Sequence, residues 1–489
     1  MNATTEIAPG RLLIDGAWSD ARSGATFTTS NPADESVLAA VAEAGADDVD
    51  AAVQAARKAQ ESGPWSKMAA ADRGKILWKM GELIQERVAS LGLLETLDTG
   101  KTLFDSSKIE LPMAAQIFQF YAGAATKIAG RTMPNRPDAF TYTLKEPVGV
   151  VGAIVPWNFP FLLASWKVAP ALAAGCTVIL KPASQTPLSA LEMGRIGLDA
   201  GLPPGVLQVL PGSGSVAGMA LVKHPGVDKI AFTGSTEVGR TVVREAAASM
   251  KRVSVELGGK SPNIVFADAD VEAALRGAFS GIFYNKGEVC AAGSRLLVER
   301  SIHESFVSAL AERADAIVLG DPRDKATRMG PVVSKGQMDT VLGYVDAGMK
   351  QGARVAAGGR RATEVNGGKG YFVRPTIFDG VTPEMTIARE EIFGPVLSVL
   401  PFDDAADVVR MANGTMYGLA AGIWTRDVTK AHRLARAVKA GTVWVNTYNL
   451  YDPALPFGGF KQSGFGRDLG IEAIDAYLET KSIWIDLGR

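Results

Sequence analysis

The chain of 489 residues has only two cysteines, Cys176 and Cys290, and three histidines, His224, His303 and His432. Two cysteines outside any CxxC spacing cannot build a disulfide framework, and histidines without HxxH or HExxH spacing leave no recognisable metal centre. No uninterrupted apolar stretch of about 18 residues occurs, and the first ten residues hold no basic segment followed by an apolar one. Neither sign of charge is in excess: the formal net charge is −1, so neither nucleic acid nor an acidic membrane surface is an expected partner. Internal repeats and low-complexity tracts are also missing. What remains reads as a soluble cytoplasmic α/β protein without a metal, long enough for two sizeable domains and an appendage.

Short strands from about Arg11 to Thr29 surround the Asp15-Gly16 turn, and helical patterns begin at Ala46, after Asp72 and at Ile109. From Val148 a regular rhythm sets in, with strands at 148–155, 177–180, 206–210, 229–232 and 252–257 separated by helices. Short β-branched runs alternating with helices predict right-handed crossovers and a parallel sheet covered on both faces, a Rossmann-type architecture. Ligands then belong at the carboxyl ends of the strands, where Asn158, Lys181, Gly212, Gly234 and Glu256 fall. A second α/β rhythm follows Ser261, with strands at 263–266, 295–298, 396–400, 419–424 and 442–445. The change of rhythm near Gly258 to Ser261 predicts a cleft between two domains. Segments 138–146 and 477–485 read as strands outside either rhythm, either an arm that pairs with a second subunit or a surface hairpin.

Within the second rhythm, Asn285 to Arg295 (NKGEVCAAGSR) places Cys290 among small residues after an apolar helical run. A cysteine in apolar surroundings is commonly structural, and Cys176, in an apolar strand after Gly175, reads that way. In a turn beside a helix end, an electrophile can approach the sulfur and a positive dipole can depress its pKa. Glu256 in VELGGK and Asn158 in PWNFP add a carboxylate and a carboxamide in tight turns, and together the three suggest acyl-transfer chemistry. Phe232 to Thr241 (FTGSTEVGRT) comes within one residue of the P-loop pattern GxxxxGK[ST], which offers phosphoryl transfer as a rival, but Arg240 stands where that loop needs lysine.

Taken in order, PWNFP, FTGSTEVG, VELGGK, GEVC, EEIFGPV and PFGGFKQSG resemble the aldehyde dehydrogenase superfamily from about Leu12 to the C-terminus. The resemblance implies a dinucleotide-binding domain at 1–123 and 147–258, a catalytic domain at 259–458, and an oligomerisation arm at 124–146 and 475–489 of a homodimer or homotetramer. It implies Cys290 as nucleophile, Asn158 as oxyanion donor, Glu256 as base, and Lys167 as a residue tuning the Asn158 region. NAD would be held by Ile154, Pro156, Trp157, Lys181, Ser184, Gly214, Phe232, Gly234, Ser235, Leu257, Glu391 and Phe393. Serine at 184, where many NAD-specific relatives carry glutamate, predicts that NADP is accepted too.

The substrate pocket carried over by position comprises Phe159, Leu163, Trp166, Tyr284, Val289, Ala291, Tyr451 and Phe457, an aromatic and uncharged set. YAGAATKIAGRT and NTYNLYDPALPFGGFKQSG are similar to phenylacetaldehyde dehydrogenases, which implies aromatic or medium-chain aldehydes. Betaine, amino or broad aliphatic aldehydes are the alternative, and the absence of an arginine disfavours succinic semialdehyde. A coenzyme-A-acylating relative is disfavoured by Glu256, and a crystallin-like structural protein by an intact Cys290 and Glu256.

Overall fold

The computed structural model describes residues 7–488. Residues 1–6, part of the stretch read for a leader, and 489, the last residue of the expected arm, lie outside the described residues. Among the described residues no helix is long and apolar enough to cross a membrane.

The first sheet has eight strands, in the order Gly464–Phe465, Arg252–Glu256, Lys229–Thr233, Val150–Ile154, Thr177–Lys181, Leu207–Val209, Leu12–Ile14, Ala17–Ser19. Its five central strands are parallel, and antiparallel strands close both edges. Burial on both faces explains the apolar runs that announced it. Val150 and Ile154 pack in one cluster with Val49, Val53 and Leu221, whereas Val151 and Ala153 pack in another with Phe161, Leu172 and Met80. Helix Pro160–Ala174 is buried along its whole length, which fits its nearly unbroken apolar sequence.

The second sheet has seven strands, in the order Arg354–Ala357, Thr376–Asp379, Val396–Phe402, Arg295–Glu299, Pro262–Val265, Ala420–Trp424, Thr442–Val445. All neighbours are parallel except the first pair. Only five residues, 257–261, separate the last parallel strand of one sheet from a central strand of the other. The chain therefore crosses between the sheets just after Glu256.

Ala139–Pro147 and Leu478–Asp486 pair with each other as an antiparallel ribbon, Ala139 opposite Asp486 and Pro147 opposite Leu478. Phe140, Trp484, Ile485 and Leu487 are exposed on and beside it. Besides the strands Arg354–Ala357 and Thr376–Asp379 of the second sheet, two features go beyond the sequence reading. Val37–Ala42 is a strand paired with Thr26–Ser30, and the chain returns after the second sheet so that Gly464 pairs with Glu256 on the edge of the first.

Candidate active site

Helix Val271–Phe283 starts at Asp270, whose side chain accepts the Ala273 N–H, and ends shortly before the cysteine. Three consecutive residues then take positive φ: Asn285 (44°), Lys286 (60°) and Gly287 (72°). Such backbone costs about 1–3 kcal/mol per non-glycine residue and persists only where the surroundings hold it. Here buried bonds hold it. Lys286 Nζ pairs with Glu288 Oε2 at 3.1 Å and donates to the Thr99 carbonyl, while Asn285 Nδ2 donates to the Asn158 carbonyl at 3.0 Å. Glycine at 287 is required twice, by its φ and because a Cβ there would overlap the Gly394 carbonyl.

Cys290 emerges from this turn half-buried, where two cavities meet. One, about 300 Å³, is a cleft walled by Pro156, Trp157, Asn158, Thr233, Gly234, Ser235, Leu257, Gly258, Glu391 and Phe393. The other, about 260 Å³, is a tunnel walled by Phe159, Trp166, Tyr284, Val289, Tyr451 and Phe457. Leu163 and Cys290 line both.

The cleft has the features of a dinucleotide site. Ser235 caps helix Thr236–Ala246, so the positive end of an eleven-residue helix opens on the cleft. Thr233 Oγ1, on the same wall, is buried without a hydrogen-bond partner among the described residues. Glu391 accepts the Gly259 N–H at 2.9 Å, and a Cβ on Gly258 would overlap its other oxygen. Phe393 takes a positive φ of 57°, held by Gln337 donating to its carbonyl at 2.7 Å, and meets the Trp157 ring edge-on at 5.1 Å.

Comparisons with known proteins agree with this arrangement. The aldehyde dehydrogenase family model matches residues 18–483. The chain belongs to the aldehyde dehydrogenase family. The putative aldehyde dehydrogenase DhaS of Bacillus subtilis (strain 168) is 49% identical over 477 residues, 98% of this chain and 96% of its own. The NAD+ complex of aldehyde dehydrogenase from Bacillus cereus is 51% identical with a TM-score of 0.96, covering 98% and 97% of the two chains. The P. syringae indole-3-acetaldehyde dehydrogenase AldA, a cysteine-to-alanine variant complexed with NAD+ and IAA, is 48% identical with the same TM-score and the same coverage. The family's general activity, oxidation of an aldehyde, is the activity of this chain.

Within this aldehyde dehydrogenase, Asn158 and Cys290 share the cleft as expected, and the Asn158 amide donates to the Glu288 carbonyl at 2.9 Å. Two expectations need correction. The thiol is not acidified: the preceding helix meets the turn with its C-terminal end, and burial, together with the Glu391 and Glu256 carboxylates, pushes Cys290 up to about 12. Ala291 does not line the tunnel; it is fully buried and its carbonyl accepts the Tyr448 hydroxyl at 2.9 Å.

Lys167, expected to tune the Asn158 region, lies beside Glu256. It pairs with Asp468 Oδ2 at 2.8 Å, both side chains buried, because the returning segment after Gly464 packs on helix Pro160–Ala174. Glu256 itself lines neither cavity; it is buried against Gly458, where a Cβ would stand 2.7 Å from its Oε1. Burial and the neighbouring Asp468 raise its pKa, and Lys167 and Arg467 oppose the rise.

Of the other expected cofactor residues, Ile154 and Lys181 end neighbouring strands of the first sheet, and Phe232 is the next-to-last residue of the strand Lys229–Thr233 beside them. Lys181 is buried beside Gly218, in the turn that Gly214 opens, and burial lowers its ammonium to about 8. Ser184 is exposed. The sequence reading missed Gln337 and Thr233 of the cleft, Asp468 beside Lys167, and Asn449 and Met113, which also wall the tunnel. PFGGFKQSG pointed to the neighbourhood of Asp468, but nothing local singled out Gln337.

Proposed function

We propose that this enzyme oxidises an aromatic or medium-chain aldehyde, such as phenylacetaldehyde, to the carboxylic acid with NAD, accepting NADP as well. One observation carries the reading: Cys290 stands where an aromatic tunnel meets a dinucleotide-type cleft, with the Asn158 amide on the same wall. The cofactor's diphosphate fits the helix start at Ser235, and its nicotinamide riboside fits between Glu391, Phe393 and Trp157. Lys181 suits the adenine-ribose hydroxyls, and Ser184 presents no carboxylate against a 2′-phosphate.

The aldehyde enters through the tunnel, and the Cys290 thiolate adds to its carbonyl carbon to form a thiohemiacetal. Asn158 Nδ2 and the Cys290 N–H receive the developing oxyanion. Donors already fixed in place need no reorganisation, and losing one typically costs about 3 kcal/mol of barrier. When bound, the nicotinamide supplies the acceptor for the hydride leaving the tetrahedral carbon. The thioester left on Cys290 is hydrolysed by a water that Glu256 deprotonates, once its carboxylate has turned from Gly458 toward the sulfur. A buried carboxylate with a raised pKa is a stronger base for that step than an ordinary one.

The tunnel's rings support an aromatic substrate. Trp166 lies 5.3 Å from Phe457 and 5.9 Å from Tyr451, and Phe159 stacks on Tyr284 at 6.0 Å. The P. syringae relative is named for indole-3-acetaldehyde, an arylacetaldehyde in the same chemical class. Steady-state kinetics with phenylacetaldehyde, benzaldehyde, hexanal, betaine aldehyde and succinic semialdehyde tests the reading. Phenylacetaldehyde or hexanal should have the highest kcat/KM; a preference for either charged aldehyde would overturn it.

A further inference from the structure

Beneath the Asn158 turn lies a buried ionic cluster that the proposed chemistry does not use. Lys101 follows the left-handed Gly100 that ends helix Val88–Thr99, and its side chain is fully buried. Its ammonium donates to Glu110 Oε2 at 2.5 Å and to the Asn158 carbonyl at 2.9 Å, with Glu95 Oε1 at 3.6 Å. It also stands 4.5 Å from the centroid of the Phe159 ring. The second oxygen of Glu110 accepts the Tyr284 hydroxyl at 3.2 Å, and Tyr284 is part of the tunnel wall.

Stability alone is a poor reason to keep such a cluster. Taking an ammonium and carboxylates out of water costs more than the pairing commonly returns, and well-packed apolar replacements of a buried pair are often neutral or stabilising. What an apolar replacement could not supply is a fixed cation on one particular carbonyl. Asn158 is thereby held at both ends: Lys101 and Asn285 grip its backbone oxygen, and its side-chain Nδ2 is bonded to Glu288, two residues before the nucleophile. One amide hydrogen is committed to Glu288, so the direction of the other follows from the placement of the Asn158 backbone.

We propose that Lys101, locked by Glu110, is a positioning residue that sets the aim of the Asn158 amide at the carbonyl oxygen of a substrate on Cys290. The inference rests on the oxyanion role of Asn158 in the proposed function. Asn158 touches the reacting atoms; Lys101 acts through it, and Glu110 ties the same ammonium to Tyr284 on the tunnel wall.

The test compares Lys101→Met, Lys101→Met with Glu110→Gln, Asn158→Ala, and Asn158→Ala with Lys101→Met in the full chain. Turnover of phenylacetaldehyde is expressed per site titrated by iodoacetamide, beside the KM for NAD, the alkylation rate of Cys290 and the melting temperature. Lys101→Met should lower kcat per titrated site about 10- to 100-fold, less than the loss of the donor itself, with little change in the KM for NAD or in alkylation, which forms no oxyanion. Adding Glu110→Gln should recover the melting temperature without recovering kcat. On the Asn158→Ala background Lys101→Met should cause no further loss, because residues acting through one another are not additive.

Full kcat per titrated site in Lys101→Met, recovery of both properties in the pair variant, or an equal further loss on the Asn158→Ala background would each overturn the inference. If Asn158→Ala is impaired and Lys101→Met is not, the inference alone fails. If Asn158→Ala keeps full turnover, the oxyanion reading fails and takes the inference with it.

Discussion

Asn158 and Glu288 lie 130 positions apart in the chain, yet the side-chain amide of the first is bonded to the backbone carbonyl of the second at 2.9 Å. That bond ties the turn after the Val150–Ile154 strand to the turn carrying Cys290, and so joins the two sheets at the point where chemistry is expected. A donor held in this way is ready before the substrate arrives.

The first expected outcome follows from that readiness. Asn158→Ala should lower kcat about 100- to 1,000-fold, and Cys290→Ala should abolish turnover, while both fold. Stopped-flow and steady-state NADH formation, with circular dichroism as the control for folding, measure this. Normal turnover in Cys290→Ala would remove the nucleophile from the scheme.

A second outcome concerns the thiol, which burial and two carboxylates push up to about 12. Its iodoacetamide alkylation rate in the free enzyme should therefore keep climbing with pH, without levelling off below about pH 10. Removing a neighbouring negative charge lowers the thiol's pKa and raises the thiolate fraction at fixed pH. Glu391→Gln should thus speed alkylation at about pH 8 by about 3- to 10-fold. Glu256→Gln should do the same while slowing aldehyde turnover, so the two assays should move in opposite directions.

Coenzyme choice gives a third. Ser184 offers no charge against a 2′-phosphate, so kcat/KM with NADP should fall within about a thousandfold of that with NAD. Ser184→Glu should cut the NADP value at least about tenfold further through direct repulsion and leave NAD within a few-fold. An unchanged ratio in Ser184→Glu would place the 2′-phosphate elsewhere.

The ribbon of Ala139–Pro147 and Leu478–Asp486 supplies a fourth. We expect it to join protomers, because Phe140 and Trp484 expose 46% and 62% of their surface on a two-stranded ribbon whose Ala139–Pro147 edge is covered only locally, by the bridge between Thr132 and Tyr142. Trp484→Glu combined with Phe140→Lys should lower the mass found by light scattering toward that of one protomer. A mass unaltered by both changes would assign the ribbon another role.

Much of this architecture was written in periodicity. Each parallel strand of the first sheet announced itself as a short apolar run, because burial on both faces leaves little room for polar residues, and Val150–Ile154 and Thr177–Lys181 lie within a residue or two of where they were expected. The region from about 300 to 390 was harder. Helix Lys335–Lys350 has a mixed surface, and Arg354–Ala357 and Thr376–Asp379 are four-residue strands whose pattern is too brief to stand out. Gln337, which holds Phe393 in place, stayed hidden with that helix.

The sequence alone determined the kind of sheet and the order of the motifs, and it singled out Cys290 as the candidate nucleophile, since these depend on which residues neighbour one another along the chain. Only the tertiary structure decided that Lys167 faces Asp468, that Glu256 is packed against Gly458, and that Lys101 grips Asn158. Those contacts join segments 57 to 301 residues apart. They depend on strand order and on which face each helix presents, and local periodicity encodes only that a face is buried, not what it is buried against.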